Sequence, residues 1–135
     1  MKIDCYVDAD FVGLWPYEDI QDPTCVKRRT GYMICVADCP VIWKSKLQTK
    51  TALSTMEAEY VALSMMMREL ISLKYGLLEV ASSLGLKLQE YTEMKNTIWE
   101  DNAGTLALAK LEPPRMTPRY HWFREHIIPE KIELV

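Results

Sequence analysis

The sequence predicts one α/β domain whose elements run β-β-β-α-β-α-α-β along 135 residues. Three observations carry that expectation. An alternating opening strand is followed by two β-rich runs that read as a hairpin. A stretch free of Pro and Gly, from Ser54 to about Tyr75, begins with a helix-capping signature. A further β-rich run ends in acids and leads directly into a short helix.

The opening run "KIDCYVD" alternates Ile3, Cys5 and Val7 with Asp4, Tyr6 and Asp8, the period of a half-buried strand that ends on an acid. Gly13, Pro16 and Pro23 make the next stretch a long loop, part of which can extend that strand. "RRTGYMICVAD" and "PVIWKSKLQ" are rich in β-branched and aromatic residues and flank the turn "DCP", so they form an antiparallel hairpin. The long helix follows. "NTIWED" is the fourth strand and "NAGTLALAK" a short helix joined to it at Asp101-Asn102. "EPPRMTPR" is a loop, "TPRYHWFREHII" a helix with Thr117 as cap and Pro118 in its first turn, and "KIELV" a final strand fragment.

Two glutamates at the start of the long helix have different jobs. Ser54-Thr55-Met56-Glu57 matches the capping box, in which a Ser and a Glu three residues on satisfy free backbone N–H groups. Glu57, Ser64 and Arg68 then share a polar stripe, whereas Glu59, Ala62, Leu63, Met66, Leu70 and Leu73 follow the spacing of the buried face. A carboxylate on a buried face is costly unless it is paired or bound to a cation.

Composition narrows the chemistry. With 49% hydrophobic and 26% charged residues the chain reads as a soluble globular domain. No apolar run approaches the roughly 20 residues of a membrane helix, and "MKIDCYVD" lacks a signal-peptide core, so an intracellular protein without membrane contact is expected. Cys5, Cys25, Cys35 and Cys39 lack the paired spacing of a zinc site and read as reduced thiols. Trp15, Trp43 and Trp99 read as core. The net charge of −3 hides a basic stretch between Asp22 and Lys50, where six cations face two acids. No Gly-rich phosphate loop or Ser/His pairing suggests another catalytic scheme.

Asp8 closes the first strand, Asp101 the fourth, and Glu59 opens the buried side of the long helix. If the first and fourth strands are neighbours, these three carboxylates converge at one edge of the sheet. Carboxylates that close repel unless a divalent cation neutralises them, and all-oxygen ligation suits Mg²⁺ or Mn²⁺. Such sites serve in-line phosphoryl displacement, commonly with two metals roughly 3.5–4 Å apart.

Six ordered motifs, "VDADFVG", "RRTGYMI", "PVIWKSKLQT", "ALSTMEAEYVALS", "WEDNAGTLALAK" and "YHWFREHI", together resemble the ribonuclease H domain of Copia-type retrotransposon polyproteins over nearly the whole chain. The resemblance implies a five-stranded mixed sheet with helices on its faces, and cleavage of the RNA strand of an RNA/DNA hybrid. It implies Asp8, Glu59 and Asp101 as the catalytic, metal-holding acids, with Asp10 in support. Phosphate contacts are expected from Arg28, Arg29, Lys44, Lys46 and Lys50. The implied partners are the hybrid and the reverse transcriptase domain of the same polyprotein, within a retrotransposon particle.

The sequence also departs from the family. Arg119 runs directly into Tyr120, where the family carries a further short segment. The family places a fourth metal-binding acid after the last strand, and this sequence ends at Val135 inside that strand, before the final helix. A weakened second metal position and slow or absent cleavage are therefore expected. The competing expectation is a catalytically silent connection or assembly module.

Overall fold

A computed structural model describes residues 1–10, 29–49, 54–86, 94–110 and 132–135. The expected loop after Asp10, the "EPPRMTPR" loop and the helix expected over 117–128 lie outside the described residues. The described elements are β1 (Lys2–Asp10), β2 (Arg29–Val36), β3 (Cys39–Leu47), α1 (Thr55–Ser83), β4 (Lys95–Trp99), α2 (Ala103–Lys110) and β5 (Ile132–Leu134).

The five strands form one mixed sheet in the order β3-β2-β1-β4-β5. β1 runs antiparallel to β2, and β2 to β3; β4 runs parallel to both β1 and β5. β1 and β4 are thus neighbours running the same way, so the chain leaves both at the same edge.

Alternation sorts the strand residues. Ile3, Cys5, Val7 and Ala9 of β1, Ile34 of β2, Ile98 of β4, and Ile132 and Leu134 of β5 are buried with Ala58, Ala62, Leu63, Met66, Met67 and Leu70 of α1 in one core. Glu59 lies on this same buried side of the helix. Ser64, expected on the polar stripe, is buried as well.

Four boundaries differ from the sequence expectation. β1 continues two residues past Asp8, still paired with β2 at Ala9↔Thr30 and Asp10↔Arg29. The hairpin turns at Ala37-Asp38, not at "DCP": both have positive φ, 50° and 63°, as a tight two-residue hairpin turn requires. Cys39 and Pro40 already belong to β3, an edge strand where a proline is tolerated. α1 runs through Gly76 to Ser83, because an exposed Gly costs a helix only about 1 kcal/mol and Leu77, Leu78 and Ala81 continue its packing. β4 stops at Trp99, leaving Glu100 and Asp101 in the turn before α2.

Candidate active site

Hydrogen bonds tie the start of α1 to the start of α2 and to β2 beside the end of β1. Ser54 caps α1 from an extended conformation, its Oγ accepting the Glu57 N–H at 3.0 Å. Asn102 caps α2 in the same manner, Oδ1 accepting from Thr105 N–H at 3.0 Å. Thr105 Oγ1 then donates to the Met56 carbonyl at 3.2 Å, tying one helix start to the other. Gly104 makes that approach possible: a Cβ there would sit 3.1 Å from both Met56 Sδ and Asn102 Oδ1. From the other side, the buried Gln48 Nε2 donates to Thr30 Oγ1 at 3.0 Å and to the Ala58 carbonyl at 2.9 Å, fastening α1 to β2 beside Ala9.

The consequence is a cluster of acids. One carboxylate oxygen from each of Asp8, Glu59 and Asp101 lies within 4.8 Å of the other two. Asp8 and Asp101 are exposed, so the cluster opens to solvent, while Glu59 is only 4% exposed and forms its floor. Burial pushes Glu59 up to about 8, and the charges of Glu100, Asp8 and Asp101 add to the rise against a single favourable hydrogen bond from the Ala9 N–H. Glu59 Oε2 is buried and has no hydrogen-bond partner among the described residues.

A fourth acid stands beside these three. Glu100 is 5% exposed and pushed up to about 7, first by burial and then by Asp101 and Asp8, although its Oε1 accepts the Asn102 N–H at 3.0 Å. Its Oε2 is buried and unpartnered among the described residues. The sequence reading missed it, yet a signal was there: Ile98 points to the core, and alternation places Glu100 on the same side. Among the described residues no ion pair involves Asp8, Glu59, Glu100 or Asp101. Clustered oxygens of one sign, two of them buried and orphaned, fit an oxygen-ligated divalent cation.

A solved structure similar to the chain is LC11-RNase H1, isolated from compost by a metagenomic approach, with a TM-score of 0.50 over 99% of this chain and 82% of that one. The chain has a ribonuclease H-like fold. At 17% identity that likeness speaks for the fold alone. Sequence supplies the lineage: the chain is 34% identical, over 96% of its length, to the retrovirus-related Pol polyprotein from transposon TNT 1-94 of Nicotiana tabacum. It spans 9% of that polyprotein. The resemblance to a retrotransposon Pol polyprotein that the six motifs carry is therefore shown. No family model matches the chain.

Within this ribonuclease H-like fold the other expected site residues are scattered. Asp10 ends β1 opposite Arg29, and the structure describes its backbone only. Arg28 and Lys50 lie outside the described residues. Arg29 and Lys46 lie on opposite faces of the sheet, since Lys46 shares a row with the inward-facing Thr30, and Arg29 Nη1 donates to Ser45 Oγ at 3.4 Å. Lys44 is committed to an ion pair with Glu69 of α1 at 3.4 Å. Arg29, Lys44 and Lys46 thus form no single basic stripe.

The tryptophans also correct the sequence reading. Trp43 is 72% exposed and Trp99 41% exposed, because both lie on the sheet face turned away from α1. Trp99 stacks on Tyr6 with ring centroids 6.5 Å apart. Trp15 lies outside the described residues. Cys5 and Cys35 are buried free thiols and Cys39 an exposed one; Cys25 is not among the described residues. No helix among the described residues is long and apolar enough to cross a membrane.

Proposed function

We propose that the chain is a metal-dependent endonuclease domain that cuts the RNA strand of RNA/DNA hybrids during reverse transcription of a Copia-type retrotransposon. Residues 1–135 act as one domain, working beside the reverse transcriptase domain of the same polyprotein in an intracellular particle. The observation that carries this reading is Glu59, buried with Oε2 unpartnered among the described residues and with one carboxylate oxygen within 4.8 Å of one from each of the exposed Asp8 and Asp101. A purely structural acid would have a cation or donors in that place.

Asp8, Glu59 and Asp101 would hold Mg²⁺ or Mn²⁺ through their oxygens. Such an ion supplies Lewis acidity to in-line phosphoryl displacement when bound. The chain's own contribution is placement. The parallel β1 and β4 bring the segments carrying Asp8 and Asp101 side by side, and α1 presents Glu59 from beneath. Glu59, raised to about 8, keeps its proton near neutral pH while no cation is present, and would release it to solvent when a cation binds. The two exposed acids leave room for a polymer to approach. A hybrid's wide minor groove displays 2′-hydroxyls at such a surface. Lys46, in the same lateral row as Ala9, is the described cation best placed for a phosphate contact.

The test is a hybrid labelled on each strand, incubated with the chain and Mn²⁺ or Mg²⁺. Slow cutting of the RNA strand alone, abolished in Asp8→Asn and Asp101→Asn, is the expected result. Hybrid binding without cutting, at metal concentrations where the ion is bound, would assign the chain to the silent assembly role instead.

A further inference from the structure

On the metal-dependent reading above, we infer that Thr105 is a positioning residue whose hydroxyl fixes the separation of Asp101 from Glu59, so that the three acids favour Mg²⁺ or Mn²⁺ over the larger Ca²⁺.

The sheet alone leaves that separation open. The ladder between β1 and β4 ends at Tyr6↔Trp99, two residues short of both Asp8 and Asp101, so among the described residues no strand pairing aligns Asp101. Asp8 is better held, because β1 continues against β2 through Asp8↔Gly31 to Asp10↔Arg29. Gln48 fastens Ala58, the residue before Glu59, to the same strand β2 through Thr30. Asp8 and Glu59 therefore share a frame that does not include Asp101.

Thr105 supplies the missing link. It is fully buried, its N–H donates to Asn102 Oδ1 at 3.0 Å, and its Oγ1 donates to the Met56 carbonyl at 3.2 Å. Asn102 directly follows Asp101, and Met56 lies about one helical turn before Glu59 on the same side of α1. Two hydrogen bonds thus join the segment carrying one acid to the helix carrying the other. Gly104 lets the bridge stay short: a Cβ there would meet Met56 Sδ and Asn102 Oδ1, each at 3.1 Å.

Ion size makes the separation matter. Mg²⁺ takes oxygens at about 2.0–2.1 Å in a nearly ideal octahedron, while Ca²⁺ accepts about six to eight at roughly 2.3–2.6 Å in adaptable geometry. Carboxylates repel and move apart when nothing restrains the segments that carry them, and that movement penalises the smaller, stricter ion first. The Thr105 bridge opposes it.

Thr105→Val keeps the shape of the side chain and removes the hydroxyl, whereas Thr105→Ser keeps the hydroxyl and removes the methyl. Isothermal calorimetry of the whole chain with Mg²⁺ and with Ca²⁺, well below each variant's Tm, reads the preference without any catalytic step. Thr105→Val should bind Mg²⁺ about tenfold more weakly and Ca²⁺ less than roughly threefold more weakly, while Thr105→Ser keeps both affinities within about twofold of wild type. A role in stability alone would lower the Tm of Thr105→Val and leave its ratio of Mg²⁺ to Ca²⁺ affinity unchanged, which would overturn the inference. Loss of the preference in Thr105→Ser would overturn it too, since the hydroxyl is still there, and that variant decides the matter if Thr105→Val does not fold. Mg²⁺ binding that Asp8→Asn leaves untouched would overturn the metal-dependent reading itself.

Discussion

Asp4 and Glu59 are equally buried acids, 2% and 4% exposed, with opposite surroundings. Burial pushes both upward, but Asp4 ends below the ordinary carboxylate range because hydrogen bonds from Lys2 and Trp99 and the nearby positive charge hold it there. Glu59 has one backbone donor and a ring of like charges, and ends near 8. Burial is shared, so it marks neither as functional. The deficit of counter-charge is what separates a site from a structural acid.

The largest effect that separates the two acids is the response to divalent metal. An ion that binds only the folded chain at a hundredfold excess over its Kd adds about 2.7 kcal/mol, a rise in Tm of roughly 10 °C for a domain of this size. Asp101→Asn and Glu59→Gln should shrink that rise sharply. Asp4→Asn should lower Tm with and without metal and leave the rise unchanged. Differential scanning calorimetry in matched buffers would show it, and an equal metal response in Asp101→Asn would remove the distinction.

The pH dependence of the metal-free protein comes next. Glu59 and Glu100, near 8 and 7 when folded and at 4.5 ordinarily, make the folded state bind more protons than the unfolded chain between those values. Stability should therefore fall as pH rises from about 4.5 to 8, by about 2 kcal/mol once the water reaching the cluster is allowed for. Asp4 has the opposite sign: its contribution is complete above its unfolded value of 3.8 and is lost as pH falls through its lower folded value. Urea unfolding at several pH values should show a slope between 5 and 8 that Glu59→Gln flattens and Asp4→Asn does not.

Why one acid was legible in the sequence and its neighbour was not has a physical answer. Helical periodicity separates Glu57 from Glu59 over a long, regular segment, so the misfit of Glu59 on an apolar stripe is plain before any coordinates. Glu100 follows the end of a short strand, where alternation has only Asn96 and Ile98 to build on, and its neighbour Asp101 draws the eye. The strand order is legible only as a condition, that β1 and β4 be adjacent, which the structure satisfies through a parallel ladder. The hairpin turn was hidden because Ala37 takes a left-handed conformation that its side chain disfavours, while the proline nearby advertises a turn it does not make. Trp43 and Trp99 defeat a rule of thumb about large aromatics because they occupy the face away from α1.

The smallest of these effects belongs to the support around the acids. Gln48→Ala removes both hydrogen bonds that fasten α1 to β2 and leaves Thr30 Oγ1 without that donor. It should cost about 1.5 kcal/mol in urea unfolding and weaken metal binding by loosening Glu59. A full loss of stability with metal affinity untouched would show that Glu59 is placed by its own helix alone.

The most direct measurement is anomalous scattering from crystals grown with Mn²⁺. A manganese peak among the carboxylates of Asp8, Glu59 and Asp101, absent in Asp8→Asn crystals grown alike, is the expected result. Well-ordered carboxylates with no manganese between them, at concentrations that saturate comparable oxygen sites, would contradict the account.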